Sequence, residues 1–176
     1  KPFVAAAAID AGVSSASQVY DCHEPYNVDG TEFTNGYPTI QNLSVTDAMI
    51  KSVNICLIKV AEDLGSEKFR KTLSSFGFDM NTPWENDKSD ALNLAYAALG
   101  SSIPVNIGTL TKAFTILANK GHLFPENSGE AVSERTSNTV THMLEEVVKQ
   151  GTGKRAALAH VSVAGKTGTL SNEDSS

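Results

Sequence analysis

At 176 residues, with 40% hydrophobic and 19% charged side chains, the chain can bury a core of its own and is too apolar to be disordered. Fourteen Lys and Arg against twenty Asp and Glu leave a formal charge of −6, which argues against nucleic acid as a partner, because nothing strongly basic is present to neutralise phosphates. The longest apolar run, Phe3 to Ile9, falls far short of the roughly 20 residues of a membrane-spanning helix, and no signal peptide opens the chain, so contact with a membrane is expected only through an anchor outside this sequence.

The first predicted element is an Ala-rich helix over Pro2 to Asp10, with Pro near its start and Gly12 just past its end. Residues 14–42 are polar and turn-rich (Asp29-Gly30, Asn35-Gly36, Tyr37-Pro38) and read as an irregular excursion with one short hairpin. Ser44-Val45-Thr46-Asp47 fits a capping box and opens a short helix. A second helix is expected over 53–64, stopping at Gly65. Ser66 is placed to cap a third, with Phe69, Leu73 and Phe76 on one stripe and Gly77 at its end. Residues 78–90 read as a loop holding Pro83 and Trp84. Helical spacing returns at 90–99, 107–119 and 134–149, the last with Val140, Met143, Leu144, Val147 and Val148 as its buried stripe. Then the period changes: Leu158, Val161 and Val163 predict a strand running to Leu170, before a loose polar tail over 171–176. A lone strand makes no sheet, so its partners are expected from 12–42 or from outside this chain. Cys22 and Cys56 lack metal-ligand spacing and read as two small buried side chains, with a disulfide open to them in an oxidising compartment. The histidines are scattered. His142, with Glu145 and Glu146 at helical spacing, reads as a solvated face rather than a metal site, and no cofactor is implied.

Three short features carry chemistry. Lys166-Thr167-Gly168-Thr169 ends the predicted strand, Ser52-Val53-Asn54 is the only Ser-x-Asn of the chain, and Lys1-Pro2-Phe3 opens the first helix. A Lys-Thr-Gly triplet alone is weak. The order Ser-x-x-Lys, Ser-x-Asn, Lys-Thr-Gly is the signature of penicillin-binding proteins and serine β-lactamases. Lys-Pro-Phe before an Ala-rich helix, Asp47-Ala48 before Ser52-Val53-Asn54, Ala61-Glu62-Asp63-Leu64-Gly65, and Gly151-Thr152-Gly153 ahead of Val163-Ala164-Gly165-Lys166-Thr167-Gly168-Thr169 all fit the family. The chain resembles a penicillin-binding protein transpeptidase domain over nearly its whole length.

The resemblance implies an α+β fold: the helix-rich part of the β-lactamase/transpeptidase architecture, with an antiparallel sheet flanked by helices and an all-helical subdomain. It implies that residues 1–176 are a partial domain. If Lys1 is the Lys of Ser-x-x-Lys, the nucleophilic serine stands three residues before it, and no serine of this chain precedes a Lys at that spacing. The family's closing strands and terminal helix would follow Thr169. This chain alone is therefore expected to form no acyl-enzyme.

The roles implied by the resemblance also make physical sense. Lys1 would act as base once burial or a second positive charge lowers its pKa, and Lys166 would supply that charge. Ser52 would pass a proton between the lysines and the leaving nitrogen. Asn54, both donor and acceptor, would orient Lys1 and a substrate amide. Gly168 would let an extended peptide lie along the strand edge, Thr167 and Thr169 would offer hydroxyls to a terminal carboxylate, and the Thr169 N–H would be half of an oxyanion hole. Blander readings stand beside these: a flexible chain end for Lys1, helix caps for Ser52 and Asn54, an edge-strand charge for Lys166 and a bulge at Gly168. The implied function is a peptidoglycan D,D-transpeptidase on the extracytoplasmic face of the bacterial membrane. Its expected partners are D-Ala-D-Ala stem peptides, β-lactam antibiotics and the remainder of its own parent chain. The alternatives are a serine β-lactamase or D,D-carboxypeptidase, with Glu85, Asp87 or Asp90 as candidates to activate water, and a non-catalytic penicillin-binding sensor.

Overall fold

The computed structural model describes residues 1–36, 41–80, 87–125 and 128–169. In chain order the elements are α1 (Pro2–Asp10), β1 (Val19–Asp21), β2 (Tyr26–Val28), β3 (Thr31–Phe33), β4 (Asn42–Ser44), α2 (Val45–Lys51), α3 (Asn54–Leu64), α4 (Ser66–Ser75), α5 (Asp90–Leu99), α6 (Ile107–Ala118) and α7 (Glu134–Gln150), with a single 3-10 turn at Lys154–Ala156. The fold is helix-rich α+β. Among the described residues no helix is long and apolar enough to cross a membrane.

The core is built around α1. Every residue from Pro2 to Ala8 is buried, so the helix is covered on all sides. Ala5 to Ala8 expose 1% or less of their surface. Side chains that small let α3, α4 and α7 close on it, and their apolar stripes (Leu57 and Val60, Phe69 and Leu73, Val140, Met143 and Leu144) complete one cluster with it. Phe3 anchors the cluster, its ring centroid 5.1 Å from those of both Phe76 and Phe78 and 5.4 Å from Phe114, in tilted and edge-on contacts. At the other end of α1, Asp10 accepts from the N–H and hydroxyl of Ser133, the cap of α7, which joins the two helices end to end.

Local signals explain most boundaries. Ser44 caps α2 by accepting the Asp47 N–H at 3.0 Å. The β2–β3 hairpin turns on Asp29 (φ 46°) and Gly30 (φ 87°), the left-handed pair that a two-residue hairpin needs. A second ribbon, β1 against β4, brackets the excursion in register Val19↔Ser44.

Four expectations are corrected. Ser66 does not cap α4: it is the first residue of the helix after Gly65, and its hydroxyl donates to Asp90 at 2.7 Å. The hairpin is not alone, because the β1–β4 ribbon accompanies it. Residues 158–169 form no strand among the described residues. Leu158 and Val161 are exposed, the strands at 19–44 pair with one another, and the 158–169 run is tied instead by the Gly165 N–H to the Leu144 carbonyl of α7 at 3.2 Å. A period-two pattern makes a strand only where a neighbouring backbone answers it. Finally, Cys22 and Cys56 are joined as a disulfide, Cα atoms 5.0 Å apart, both fully buried beside Leu43, Ala48 and Val53. Closing a loop of 34 residues contributes about 4 kcal/mol on the chain-entropy account. The tail 171–176, Pro83, Trp84 and Glu85 lie outside the described residues.

Because Phe3 is 7% exposed and touches three other rings, Phe3→Ala should leave a cavity and cost about 3–5 kcal/mol, read as a fall in the denaturation midpoint of the protein carrying this chain. A loss under about 1 kcal/mol would mean that Phe3 is not the anchor of the core.

Candidate active site

Three separate pieces of chain meet at Ser52. Lys1 stands at the cap position of α1, and the backward tilt of helical side chains carries it off the helix end. Helix α2 stops at Ser52, which adopts the left-handed conformation (φ 60°, ψ 36°), and α3 begins two residues later at Asn54. A serine in that region carries strain of order 1 kcal/mol, held in place by the helices on either side. The third piece is the run after α7. Gly151 passes so close to α2 that an added Cβ would lie 2.4 Å from the Ile50 carbonyl oxygen, and the Thr152 N–H donates to that same carbonyl at 3.2 Å. Lys166 returns from this side.

Lys1 Nζ donates to the Ser52 carbonyl at 3.0 Å, the Ser52 hydroxyl at 3.1 Å and Asn54 Oδ1 at 2.6 Å, matching its three N–H bonds with three acceptors. Lys166 Nζ donates to the same Ser52 hydroxyl at 2.8 Å and to the Thr167 carbonyl at 3.1 Å. With both amines protonated, the two lone pairs of Ser52 Oγ are occupied and its own hydrogen is free to point elsewhere. When one amine is neutral, the hydroxyl can donate to it instead. Asn54 has a fixed sense: its Nδ2 donates to the Thr34 carbonyl at 2.8 Å, so its oxygen faces Lys1. Thr167 Oγ1 pairs with Thr152 Oγ1 at 2.7 Å. Gly168 has open space where a Cβ would stand, and Thr169 is exposed.

The named acceptors are neutral oxygens, so neither ammonium is offset by a carboxylate at these contacts. Burial, followed by the charge of Lys166, lowers Lys1 from 10.5 to about 8. Burial lowers Lys166 to about 8 as well. Two poorly compensated cations facing one hydroxyl suit a substrate carboxylate or a developing oxyanion.

All four residues from the three motifs (Lys1, Ser52, Asn54 and Lys166) are therefore in one hydrogen-bonded group, with Thr167 beside it and Gly168 and Thr169 continuing the run. Thr152, marked in the sequence only as the middle of Gly151-Thr152-Gly153 and given no role there, joins the group through Thr167, and the Thr34 carbonyl joins it as a backbone atom with no sequence signal. Of the carboxylates considered for water activation, Asp87 and Asp90 take no part in these contacts. Asp90 starts α5 and binds Ser66, Asp87 is exposed, and Glu85 lies outside the described residues. Among the described residues no cluster of His, Cys, Asp and Glu has the makings of a metal site, and His142 pairs with Glu145 at 3.6 Å on an exposed face.

The site is thus a Lys–Ser–Lys centre on a helix-rich α+β domain, and comparison with known proteins gives the family. The family model described as penicillin binding protein transpeptidase domain matches residues 1–174; the chain belongs to that family. The solved transpeptidase domain of the FtsI4 D,D-transpeptidase from Legionella pneumophila is 43% identical, with a TM-score of 0.75 over 99% of this chain and 54% of that one. The transpeptidase domain of Burkholderia pseudomallei penicillin-binding protein 3 shares the fold, with 24% identity and a TM-score of 0.85 over 96% of this chain and 58% of that one. A probable peptidoglycan D,D-transpeptidase FtsI of Caulobacter vibrioides is 25% identical over 199 residues, 96% of this chain and 33% of that protein. The chain thus spans about a third of that curated relative and just over half of each of these two solved structures.

The pKa values set a stability window. In the unfolded chain both lysines hold their protons up to 10.5, whereas in the fold they release them near pH 8. The unfolded state then binds more protons between pH 8 and 10.5, so the contribution of this pair to stability should rise with pH across that window. Denaturation midpoints for wild type and Lys1→Met test this: the gap between them should change by a measurable amount from pH 7.5 to 10, in favour of wild type. A constant gap would contradict the burial of charged Lys1.

Proposed function

We propose that the chain supplies the base, the proton relay and the substrate-binding edge of a serine D,D-transpeptidase that cross-links peptidoglycan stem peptides ending in D-Ala-D-Ala. The observation that carries the reading is the pair of ammonium groups on the Ser52 hydroxyl, at 3.1 and 2.8 Å. On this reading Lys1 takes the Lys position of Ser-x-x-Lys, and the nucleophilic serine stands one helical turn ahead of it in the whole protein. A Lys held near pH 8 by burial is neutral often enough at physiological pH to accept that serine's proton. The serine oxygen attacks the carbonyl between the two D-Ala residues, and the Thr169 N–H is one donor to the resulting oxyanion. As the tetrahedral centre collapses, the C–N bond breaks, the Ser52 hydroxyl gives its proton to the departing nitrogen, and a lysine ammonium restores it. An amine from a second stem then attacks the ester, and the proton path runs in reverse.

The substrate's terminal carboxylate is matched by Lys166 and the hydroxyls of Thr167 and Thr169. The open flank of Gly168 leaves room for an extended peptide against the backbone. A β-lactam fits the same place as a cyclic amide carrying a carboxylate. The buried Cys22–Cys56 disulfide supports an extracytoplasmic setting, since such bonds persist in oxidising compartments.

The full-length protein should take a covalent label from a fluorescent penicillin and release it slowly. Lys1→Ala should lower the rate of labelling by roughly 10²- to 10⁴-fold, the usual contribution of a positioned base. Rapid turnover of penicillin would favour a hydrolase, and no labelling at all would end the proposal.

A further inference from the structure

Helix α3 begins with no acceptor of its own. Its cap position is Val53, whose side chain offers nothing to the free N–H groups of the first turn. The acceptor arrives from 20 residues upstream: Asn35 Oδ1 takes the Ile55 N–H at 2.9 Å. Asn35 is only 4% exposed. Its Nδ2 donates to the Cys22 carbonyl at 3.0 Å and its backbone N–H to the Glu24 carboxylate at 2.7 Å. The residue before it, Thr34, gives the carbonyl that orients Asn54, whose oxygen in turn meets Lys1. The disulfide ties the same two pieces of chain together, with Cys56 two residues beyond Asn54.

We propose that Asn35 is a positioning residue for the Ser52–Asn54 turn: its carboxamide, braced by the Cys22–Cys56 bridge, caps α3 from outside and holds Thr34 where it aims Asn54 at Lys1. The inference rests on the transpeptidase reading of that turn. Removing the carboxamide takes from the buried Ile55 N–H and Cys22 carbonyl the bonds that they make with it. The 34–35 segment must then move to recover them, and Asn54 loses the carbonyl that fixes its sense. Asp at position 35 keeps an acceptor, favourably charged at a helix N-terminus, but loses the donor to Cys22.

The test uses the full-length protein and a fluorescent penicillin, reading two quantities: the amplitude of labelling, which counts folded sites, and the rate constant of acylation, which reports their geometry. Asn35→Ala should keep a labelled fraction whose rate constant is ~10- to 100-fold below wild type, the scale of a small misplacement of reacting groups, and Asn35→Asp should recover part of the loss. A merely structural role lowers amplitude or thermal midpoint and leaves the rate constant per labelled site unchanged, which would overturn the inference. If Asn35→Ala does not fold, Asn35→Asp decides: a rate constant several-fold below wild type supports the inference, and one equal to wild type overturns it. A wild type that takes no label removes the transpeptidase reading and this inference with it; a labelled wild type with unaltered variants removes this inference alone.

Discussion

One hydroxyl serving two ammonium groups is the constraint on which the site depends. Like charges do not gather around a single oxygen unless the chain forces them to, and three elements supply the force. The start of α1 brings Lys1, the left-handed residue between α2 and α3 presents Ser52, and the run after α7 returns Lys166. Each is anchored in the same core. The alanines of α1 admit α3 and α7 at short range, and Gly151 lets α7 end directly against α2, where any larger residue would meet the Ile50 carbonyl. The closeness of the helices, set by small side chains, is what becomes closeness of the lysines.

The electrostatic character follows from the acceptors. Carbonyl, hydroxyl and carboxamide oxygens solvate the ammonium groups without cancelling them, so the site stays positive and its lysines give up protons more readily than free ones. A carboxylate in place of Asn54 would bind Lys1 more tightly and hold its proton, which is the wrong direction for a base. Asn54 positions the amine without raising its pKa by charge. Its own orientation comes from a backbone carbonyl, an acceptor that cannot rotate away.

Most of the helix boundaries were legible because the sequence carries its own punctuation there; the start of α3, capped by Asn35 from upstream, was not. The Ser44–Asp47 capping box, Gly65 and the apolar stripe of α7 are signals that local physics enforces. The Asp29-Gly30 turn was legible for the same reason. What failed needed information from a distance. Alternation at 158–170 says that a strand is allowed, not that a partner is present. The spacing of Cys22 and Cys56 says nothing of the β1–α3 contact that joins them. Ser66 has a cap's chemistry, yet Asp90 claims its hydroxyl. In the site, motif order singled out Lys1, Ser52, Asn54 and Lys166, but only folding shows that they meet. Thr34 contributes a carbonyl, which no side-chain pattern encodes, and Asn35 looked like an ordinary turn residue until its carboxamide was found on α3.

The most direct measurement is a crystal structure of the unliganded full-length protein. The account predicts Ser52 Oγ within about 3.2 Å of both lysine nitrogens, Asn54 Oδ1 turned to Lys1, and a serine one helical turn before Lys1 facing the same point. A structure in which either lysine turns to solvent, or in which that position holds no serine, would contradict it.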